Sequence, residues 1–485
     1  MDLIKSSNPK FPPPWLTLLV IAAATRALAI GNPILHVDEQ FYFAAARGWV
    51  HGALPYVDIW DRKPVGLFLI YLLPAQLPFI PGIWAYQLMA LASAWGTAML
   101  IASMARRSGL AGTGVIAGIL YLVWIILAEG QGGQSPVFYN FLVAGAAWLV
   151  LEDQPERAIG PRRTHAMLAM LLFGLALQIK TSVLFEGVFF GLWILWRRWR
   201  GGEGLLAIVG LGTLMVVLAL IPTGIAMASY AASGHFDAWW YANLVSITQR
   251  QPDPFLEQAG NLAGLTAILS PLVAMAIIAL LRVGNMPSAT RNMLAGWLAS
   301  AVLAVLLFGS WFDHYGLPVM VPASVAASGV FNGDRRSVIW PTIALLTAAL
   351  GGQILLAEKL WRRGTPNAFA GLVTAIGPGP GCLYVYAGDP MLYAAVPRCT
   401  LTRFQFPSHL TRQREAGAIG VDQGDEIARI LAARPAVIVD TGPFRGELPA
   451  RRAQLMRAIT GRYTRVAQVA EGFSTASVYR LRSAR

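Results

Sequence analysis

Two adjacent carboxylates, Asp38 and Glu39, begin a stretch whose apolar residues recur at helical spacing. They follow the first long apolar run of the chain, so we expect them in the first turn of a helix. The dipole of that helix stabilises a charged carboxylate, and a charged carboxylate can act as a general base. An ordinary helix start with an acidic first turn is the alternative that this pattern leaves open.

Two cations, Arg62 and Lys63, precede Pro64 and a further apolar segment. Lysine binds phosphate as a point charge, and fixed cations stabilise a phosphate that leaves with negative charge. The pair is therefore expected to hold a lipid phosphate at the bilayer surface. Snorkelling of both side chains towards the interface is the alternative interpretation.

The composition indicates that a membrane protein positions these residues. Apolar residues make up 56% of the 485 residues, charged residues make up 13%, and the mean hydropathy is +0.54. These values exclude an ordinary soluble enzyme and a disordered chain. The net charge of +13 is expected from Lys and Arg in cytoplasmic loops, and we expect no nucleic-acid partner.

Eleven apolar segments are candidates to cross a bilayer, which takes about 20 helical residues. They are residues 14–31, 83–104, 110–128, 138–151, 166–180, 183–196, 204–229, 262–281, 293–309, 316–332 and 338–356. If a twelfth segment, 64–79, does not cross, most basic loops lie on the side of the N-terminus, as the positive-inside rule requires. We therefore predict about 11 transmembrane helices, a cytoplasmic N-terminus, an outer C-terminus, and a segment 64–79 that lies in or along the outer leaflet.

The last quarter of the chain changes composition, and strand-like and helical stretches alternate in it. The strand-like stretches are 382–386, 437–439 and 475–482, and the helical ones are 425–433 and 450–459. This alternation predicts a small α/β domain. We divide the chain into a transmembrane catalytic domain, 1–356, with a first outer loop at 32–63, and an outer α/β domain, 357–485. Cys382 and Cys399 lie in the outer domain, where a disulfide and two free thiols are both compatible with the sequence.

Further polar residues lie near the predicted outer ends of the spans. They are Glu129, Asn140, Lys180, Glu186, Asp313, His314 and Tyr315. For Lys180, snorkelling competes with a functional role, and for Glu186 a site role and a structural one stay open. For Asp313 and His314, metal binding competes with capping and hydrogen bonding. The 230–261 loop is predicted as an aromatic interfacial belt, or as a lid.

An Asp-Glu pair after the first span, followed by Lys-Pro entering an apolar segment, resembles the family 39 glycosyltransferases of the GT-C superfamily. This family includes protein O-mannosyltransferases and the lipid A aminoarabinose transferase. Residues 129–134 together with 138–140, and residues 314–318, also match motifs of the family. The order of spans and loops is similar over about residues 14–330. The resemblance implies a GT-C-like transmembrane domain, a donor sugar on polyprenyl phosphate, and inverting transfer at the outer face.

The resemblance also implies roles for individual residues. Asp38 matches the catalytic base, Lys63 matches the lysine that contacts the donor phosphate, and Arg62 joins it. Glu39 and Glu129 match carboxylates that support the site and complete the predicted catalytic set. The candidate substrate-binding residues are His314, Tyr315, Lys180 and Asn140. Some relatives have an acidic residue at the position of Arg62, which puts metal binding there in doubt, so a divalent cation stays open and no other cofactor is expected.

We therefore predict a glycosyltransferase of EC class 2.4 in the bacterial inner membrane. It would move a sugar from a polyprenyl-phosphate donor to a periplasmic acceptor. A glycolipid, lipopolysaccharide or polysaccharide acceptor is preferred, and a protein acceptor stays open. The alternatives are a transporter or flippase, for which inverted repeats would be expected, a non-catalytic relative that kept the fold, and a glycan polymerase or ligase.

Overall fold

The computed structural model describes residues 12–151, 160–282 and 286–482, and most of them are helical. The helices up to residue 200 are α1 (Pro14–Arg26), α2 (Val37–Val50), α3 (Val65–Ala75), α4 (Phe79–Arg107), α5 (Gly114–Leu127), α6 (Ser135–Val150), α7 (Arg163–Leu177) and α8 (Leu184–Arg200). The next helices are α9 (Leu205–Ala232), α10 (Phe236–Trp240), α11 (Ser246–Thr248), α12 (Phe255–Arg282), α13 (Ser288–Phe308), α14 (Met320–Ala327), α15 (Ile339–Arg363) and α16 (Pro366–Ile376). The C-terminal part contains α17 (Leu392–Ala395), α18 (Ser408–Thr411), α19 (Gln423–Ala432) and α20 (Pro449–Arg462).

The predicted fold class is confirmed: the chain is an α-helical polytopic membrane protein with a small C-terminal sheet. Each predicted span coincides with a helix, although the boundaries differ by several residues. Among the described residues, α4, α9, α12, α13 and the pair α15–α16 are long and apolar enough to cross a membrane by themselves. Helix α14 continues as a 3-10 helix to Asn332, and shorter apolar helices occupy the positions of other predicted spans.

Helix α3 is shorter than the bilayer core is thick. It has 11 residues and is therefore about 16 Å long, whereas the hydrocarbon core is about 30 Å thick. Asp38 before α3 and Glu129 after it line the same cavity, with only α4 and α5 as spans between them. An even number of crossings therefore separates these two residues, which agrees with the prediction for segment 64–79.

The helices differ in what covers them. All eight residues of α14 are buried, as is most of α5, so these helices form the centre of the bundle. Helix α9 is apolar but mostly exposed, and Leu206 on it is 89% exposed. An apolar helix with so little protein contact is one that faces lipid. Glu186 on α8 accepts a hydrogen bond from Trp297 of α13 at 2.6 Å, which ties these two helices together.

The C-terminal part contains a four-stranded sheet with the order β1-β2-β4-β3. The strands are β1 (Leu383–Val385), β2 (Val437–Asp440), β3 (Tyr463–Glu471) and β4 (Ser474–Leu481). Strands β1 and β2 are parallel, and β4 pairs antiparallel with β2 and β3. Sequence analysis missed β3, because this edge strand is largely exposed and a bulge between Arg465 and Ala467 interrupts its alternation.

Cys382 and Cys399 form a disulfide, which decides between the two alternatives that the sequence left open. The bond lies at the start of β1, where the amide of Leu383 also donates to the carbonyl of Cys399. Helix α15 continues past residue 356 to Arg363, so the division of the chain into domains at that residue stays a prediction.

Candidate active site

The loops at one end of the bundle converge on a cavity of about 300 Å³ beneath the C-terminal part. The first outer loop, the turn after α5, the segment between α13 and α14, and the end of α15 all reach it. The predicted site residues that line it are Asp38, Arg62, Lys63, Glu129, His314 and Tyr315. Residues far apart in the sequence are therefore brought to one enclosed space.

Asp38 lies in the first turn of α2, as predicted, and points into this cavity. Nε2 of Gln134 donates a hydrogen bond to its Oδ2 at 3.3 Å, and Nε2 of His314 lies 3.9 Å from the same oxygen. Burial opposes ionisation, but His314, Lys63 and His36, together with the hydrogen bond from Gln134, hold the pKa of Asp38 below its usual value. Asp38 is therefore a charged carboxylate at neutral pH, the form that a general base requires.

Glu129 is held by three basic side chains. Its Oε2 lies 3.3 Å from Nε2 of His36 and 3.4 Å from Nδ1 of His314, and its Oε1 accepts from Lys359. Although burial opposes it, the contacts with His36, Lys359 and His314 keep the pKa of Glu129 well below its usual range. Glu129 is thus a charged anchor that orients both histidines around Asp38.

Glu39 does not line the cavity. Its side chain is 2% exposed and packs on the glycine turn at 132–133, where a Cβ on Gly132 would collide with its carboxylate. Burial raises the pKa of Glu39 to about 7. Gly132 therefore makes room for this carboxylate, and Glu39 is buried against the turn away from the cavity.

The two predicted phosphate ligands differ in their surroundings. Lys63 lines the cavity and, within the part of the chain that the structure describes, forms no salt bridge. Arg62 pairs with Glu415 at 2.6 Å and bonds to Oγ of Ser246 at 3.2 Å. Lys63 therefore offers its charge to a ligand, whereas Arg62 ties the first outer loop to the C-terminal part.

The remaining candidates lie at different depths. Lys180 is buried, with its Nζ 4.0 Å from the centre of the Tyr315 ring, and Tyr315 separates it from the main cavity. Burial, and then the charge of Lys63, lower the pKa of Lys180 well below its usual value. Asn140 is not among the cavity-lining residues; it donates to the carbonyl of Leu317 at 3.1 Å and so supports the loop that carries His314 and Tyr315.

Sequence reasoning missed the contribution of the last quarter of the chain. Arg363, Ser408, Arg412, Arg414 and Glu415 line the cavity together with Arg250. Their positions depend on how the C-terminal part docks, for which no local pattern gives a signal. Lys359 was missed because the last span was predicted to end at residue 356, whereas α15 carries this lysine to Glu129.

Among the described residues, no group of three or more His, Cys, Asp or Glu side chains is arranged to hold a metal ion. The acidic and histidine side chains at this site are instead paired with each other and with Lys359.

Comparisons with known proteins bear on the fold. No protein-family model matches the chain, and no curated protein matches it in sequence. The structure is similar to ArnT from Cupriavidus metallidurans bound to undecaprenyl phosphate, with a TM-score of 0.62 and 15% identity over 96% of each chain. It is also similar to the archaeal oligosaccharyltransferase AglB from Archaeoglobus fulgidus in complex with an inhibitory peptide and a dolichol-phosphate. Here the TM-score is 0.55 and the identity 12%, over 88% of this chain and 68% of AglB.

The similarity to ArnT extends over nearly the whole length of both chains, and the similarity to AglB over most of each. Structural similarity over this much of each chain shows a shared fold. The chain therefore has the GT-C fold of membrane glycosyltransferases.

Proposed function

We propose that the chain is a membrane glycosyltransferase that moves a sugar from a polyprenyl-phosphate donor to an acceptor at the outer face of the membrane. One observation carries the proposal: Asp38 and Lys63, from opposite ends of the first outer loop, share one cavity. The similarity to ArnT, whose structure holds undecaprenyl phosphate, supports this choice of donor.

In this mechanism, the acceptor hydroxyl attacks the anomeric carbon of the donor sugar. A new carbon–oxygen bond forms, the bond to the phosphate oxygen breaks, and Asp38 takes the hydroxyl proton. Polyprenyl phosphate leaves with its additional negative charge on the phosphate. Lys63 stabilises that charge more strongly in the transition state than in the ground state, and this difference accelerates the reaction.

The neighbouring residues act through Asp38 and Lys63. Glu129 and Lys359 form an ion pair that contacts His36 and His314, and this network holds His314 beside Asp38. Arg62, paired with Glu415, holds the loop that carries Lys63. We propose these as positioning residues, and likewise Glu39, which fixes the glycine turn.

The side of the membrane and the class of acceptor are also part of the proposal. The site would face the periplasm of a bacterial inner membrane, with a glycolipid, lipopolysaccharide or polysaccharide as the preferred acceptor. This orientation rests on the distribution of Lys and Arg among the loops. The family 39 motifs support the same assignment.

The proposal is tested by reconstituting the chain in proteoliposomes with a panel of polyprenyl-phosphate sugars. The measurement is the release of free polyprenyl phosphate in the presence of a bacterial glycolipid extract. We expect release with at least one donor, and its loss in Asp38→Asn and Lys63→Ala. The matched controls are Asp237→Asn and Arg457→Ala, which change an exposed carboxylate and an exposed cation.

Release that persists unchanged in both site variants would contradict the proposed roles. Movement of intact donor across the bilayer without release would instead support the flippase alternative. Either result would overturn the transferase assignment for this cavity.

A further inference from the structure

A second cavity, of about 270 Å³, lies beside the first, between the end of α15 and the C-terminal sheet. The segment 387–389, which follows β1, and Thr441, which follows β2, line it. Strands β1 and β2 are parallel. The carboxyl edge of parallel strands is a common place for ligands in open sheets of α/β proteins, and this cavity lies at such an edge of the β1–β2 pair.

Two buried carboxylates line this cavity. Nε2 of Gln40 on α2 donates to Oδ1 of Asp389 at 2.8 Å, which fixes that side chain. Glu471 is only 2% exposed, and within the described chain its Oε1 has no hydrogen-bond partner. A buried oxygen without a partner carries a desolvation cost that a hydrogen-bond donor on a ligand would remove.

The two carboxylates also influence each other. Burial, and then the charge of Asp389, raise the pKa of Glu471. The shift favours the protonated carboxyl group, which can donate one hydrogen bond as well as accept others. A ligand group that both donates and accepts, such as a hydroxyl, matches this pair better than an ammonium group, which only donates.

The other lining groups are those that bind a polyhydroxylated ring. Ser408 and Thr441 contribute hydroxyls, and Arg412, which pairs with Glu257 and lies over the ring of Phe444, contributes a cation.

The second cavity adjoins the first. Val37, Arg363, Ser408 and Arg412 line both. Helix α2 links the two sites, because Asp38 projects into the first cavity while Gln40 holds Asp389 in the second. A molecule that occupies the second cavity can therefore extend past Arg363 and present a hydroxyl to Asp38.

We propose that the second cavity is the acceptor subsite and takes a saccharide whose hydroxyl groups bond to Asp389 and Glu471. The assignment as an acceptor subsite rests on the proposed transferase function, which it deepens by naming the acceptor class. Saccharide binding itself is measurable without a donor.

The test uses the full-length chain in nanodiscs and three disaccharides as probes: one neutral, one with an amino sugar and one with a uronic acid. A hexapeptide serves as the competing class of acceptor. We expect saturable binding of at least one disaccharide, and at least a 10-fold loss of affinity in the double variant Asp389→Asn/Glu471→Gln. These substitutions preserve the size of both side chains. The thermal unfolding of the double variant, compared with that of the unchanged protein, shows whether it is folded. The exposed Asp425→Asn is the matched control and is expected to bind like the unchanged protein.

The absence of saturable disaccharide binding by folded protein would overturn the proposal, as would unchanged affinity in a folded double variant. Peptide binding that the double variant loses, without saccharide binding, would replace it with a protein acceptor. Binding of undecaprenyl phosphate is measured on the same preparations. If the protein binds a saccharide but not undecaprenyl phosphate, the proposed donor is contradicted and the saccharide site is retained. If it binds undecaprenyl phosphate but no saccharide, only the proposed acceptor subsite is overturned.

Discussion

Nε2 of His314 lies 3.9 Å from Oδ2 of Asp38, on a ring whose Nδ1 lies 3.4 Å from Glu129. This histidine connects the proposed base to a second carboxylate that comes from another loop. The charge state of Asp38 therefore depends on a residue about 280 positions further along the chain.

The first prediction concerns this connection. His314 lowers the pKa of Asp38, so His314→Ala should raise it. A base with a higher pKa is protonated over more of the acidic range, so the acidic limb of the kcat/KM–pH profile should move to higher pH. We expect His314→Gln to restore part of the rate at neutral pH. A profile that falls uniformly without a shift would show that His314 acts on structure alone.

The second prediction separates donor binding from proton transfer. Lys63→Ala removes a cation from the cavity, and hydrogen bonds to charged groups contribute roughly 1.5–3 kcal/mol. We expect the Kd for undecaprenyl phosphate to rise by about 10- to 100-fold, with partial recovery in Lys63→Arg. Titration of the lipid into protein in detergent measures this Kd. An unchanged Kd would exclude Lys63 as a phosphate ligand.

The third prediction concerns the glycine turn beneath Glu39. A Cβ on Gly132 would collide with the buried carboxylate, so Gly132→Ala should lower the free energy of unfolding by roughly 1–3 kcal/mol. Gly145→Ala is the matched control, because its Cβ would meet only Leu172 and Leu100, at 3.5 and 4.0 Å. Thermal unfolding in detergent compares the two. Equal melting temperatures would contradict the packing described for Glu39.

The fourth prediction concerns the disulfide. Cys382 and Cys399 are separated by 17 residues, and closing a loop of about that length stabilises a fold by roughly 3 kcal/mol. Cys382→Ser/Cys399→Ser should therefore make the C-terminal part more susceptible to limited proteolysis. The transmembrane bundle of the same variant serves as an internal reference. Unchanged cleavage rates throughout would show that the bond contributes little.

The helices and the first-loop motif could be predicted because they are local patterns. Apolar runs define the spans, and Asp38 and Glu39 follow the first run directly, so their place in the first turn of α2 needed no tertiary information. Segment 64–79 was predicted not to cross from the distribution of charge, because a further crossing would have moved most basic loops to the outer side.

The rest of the site depends on tertiary docking. Glu415 reaches Arg62 and Arg250 only after the C-terminal part has folded onto the bundle. Neighbouring residues in the sequence give no sign of these pairs. Sequence analysis grouped Glu39 with the catalytic residues on the family resemblance, yet its side chain and that of Asp38 lie in different surroundings.

The most direct test of the account is to measure donor binding and sugar transfer together in Asp38→Asn. A general base contributes about 10²–10⁴-fold to the rate, whereas it need not touch the donor phosphate. The account therefore predicts that this variant binds undecaprenyl phosphate with unchanged affinity and transfers sugar at least about 100-fold more slowly. Transfer at the normal rate by Asp38→Asn would contradict the central claim.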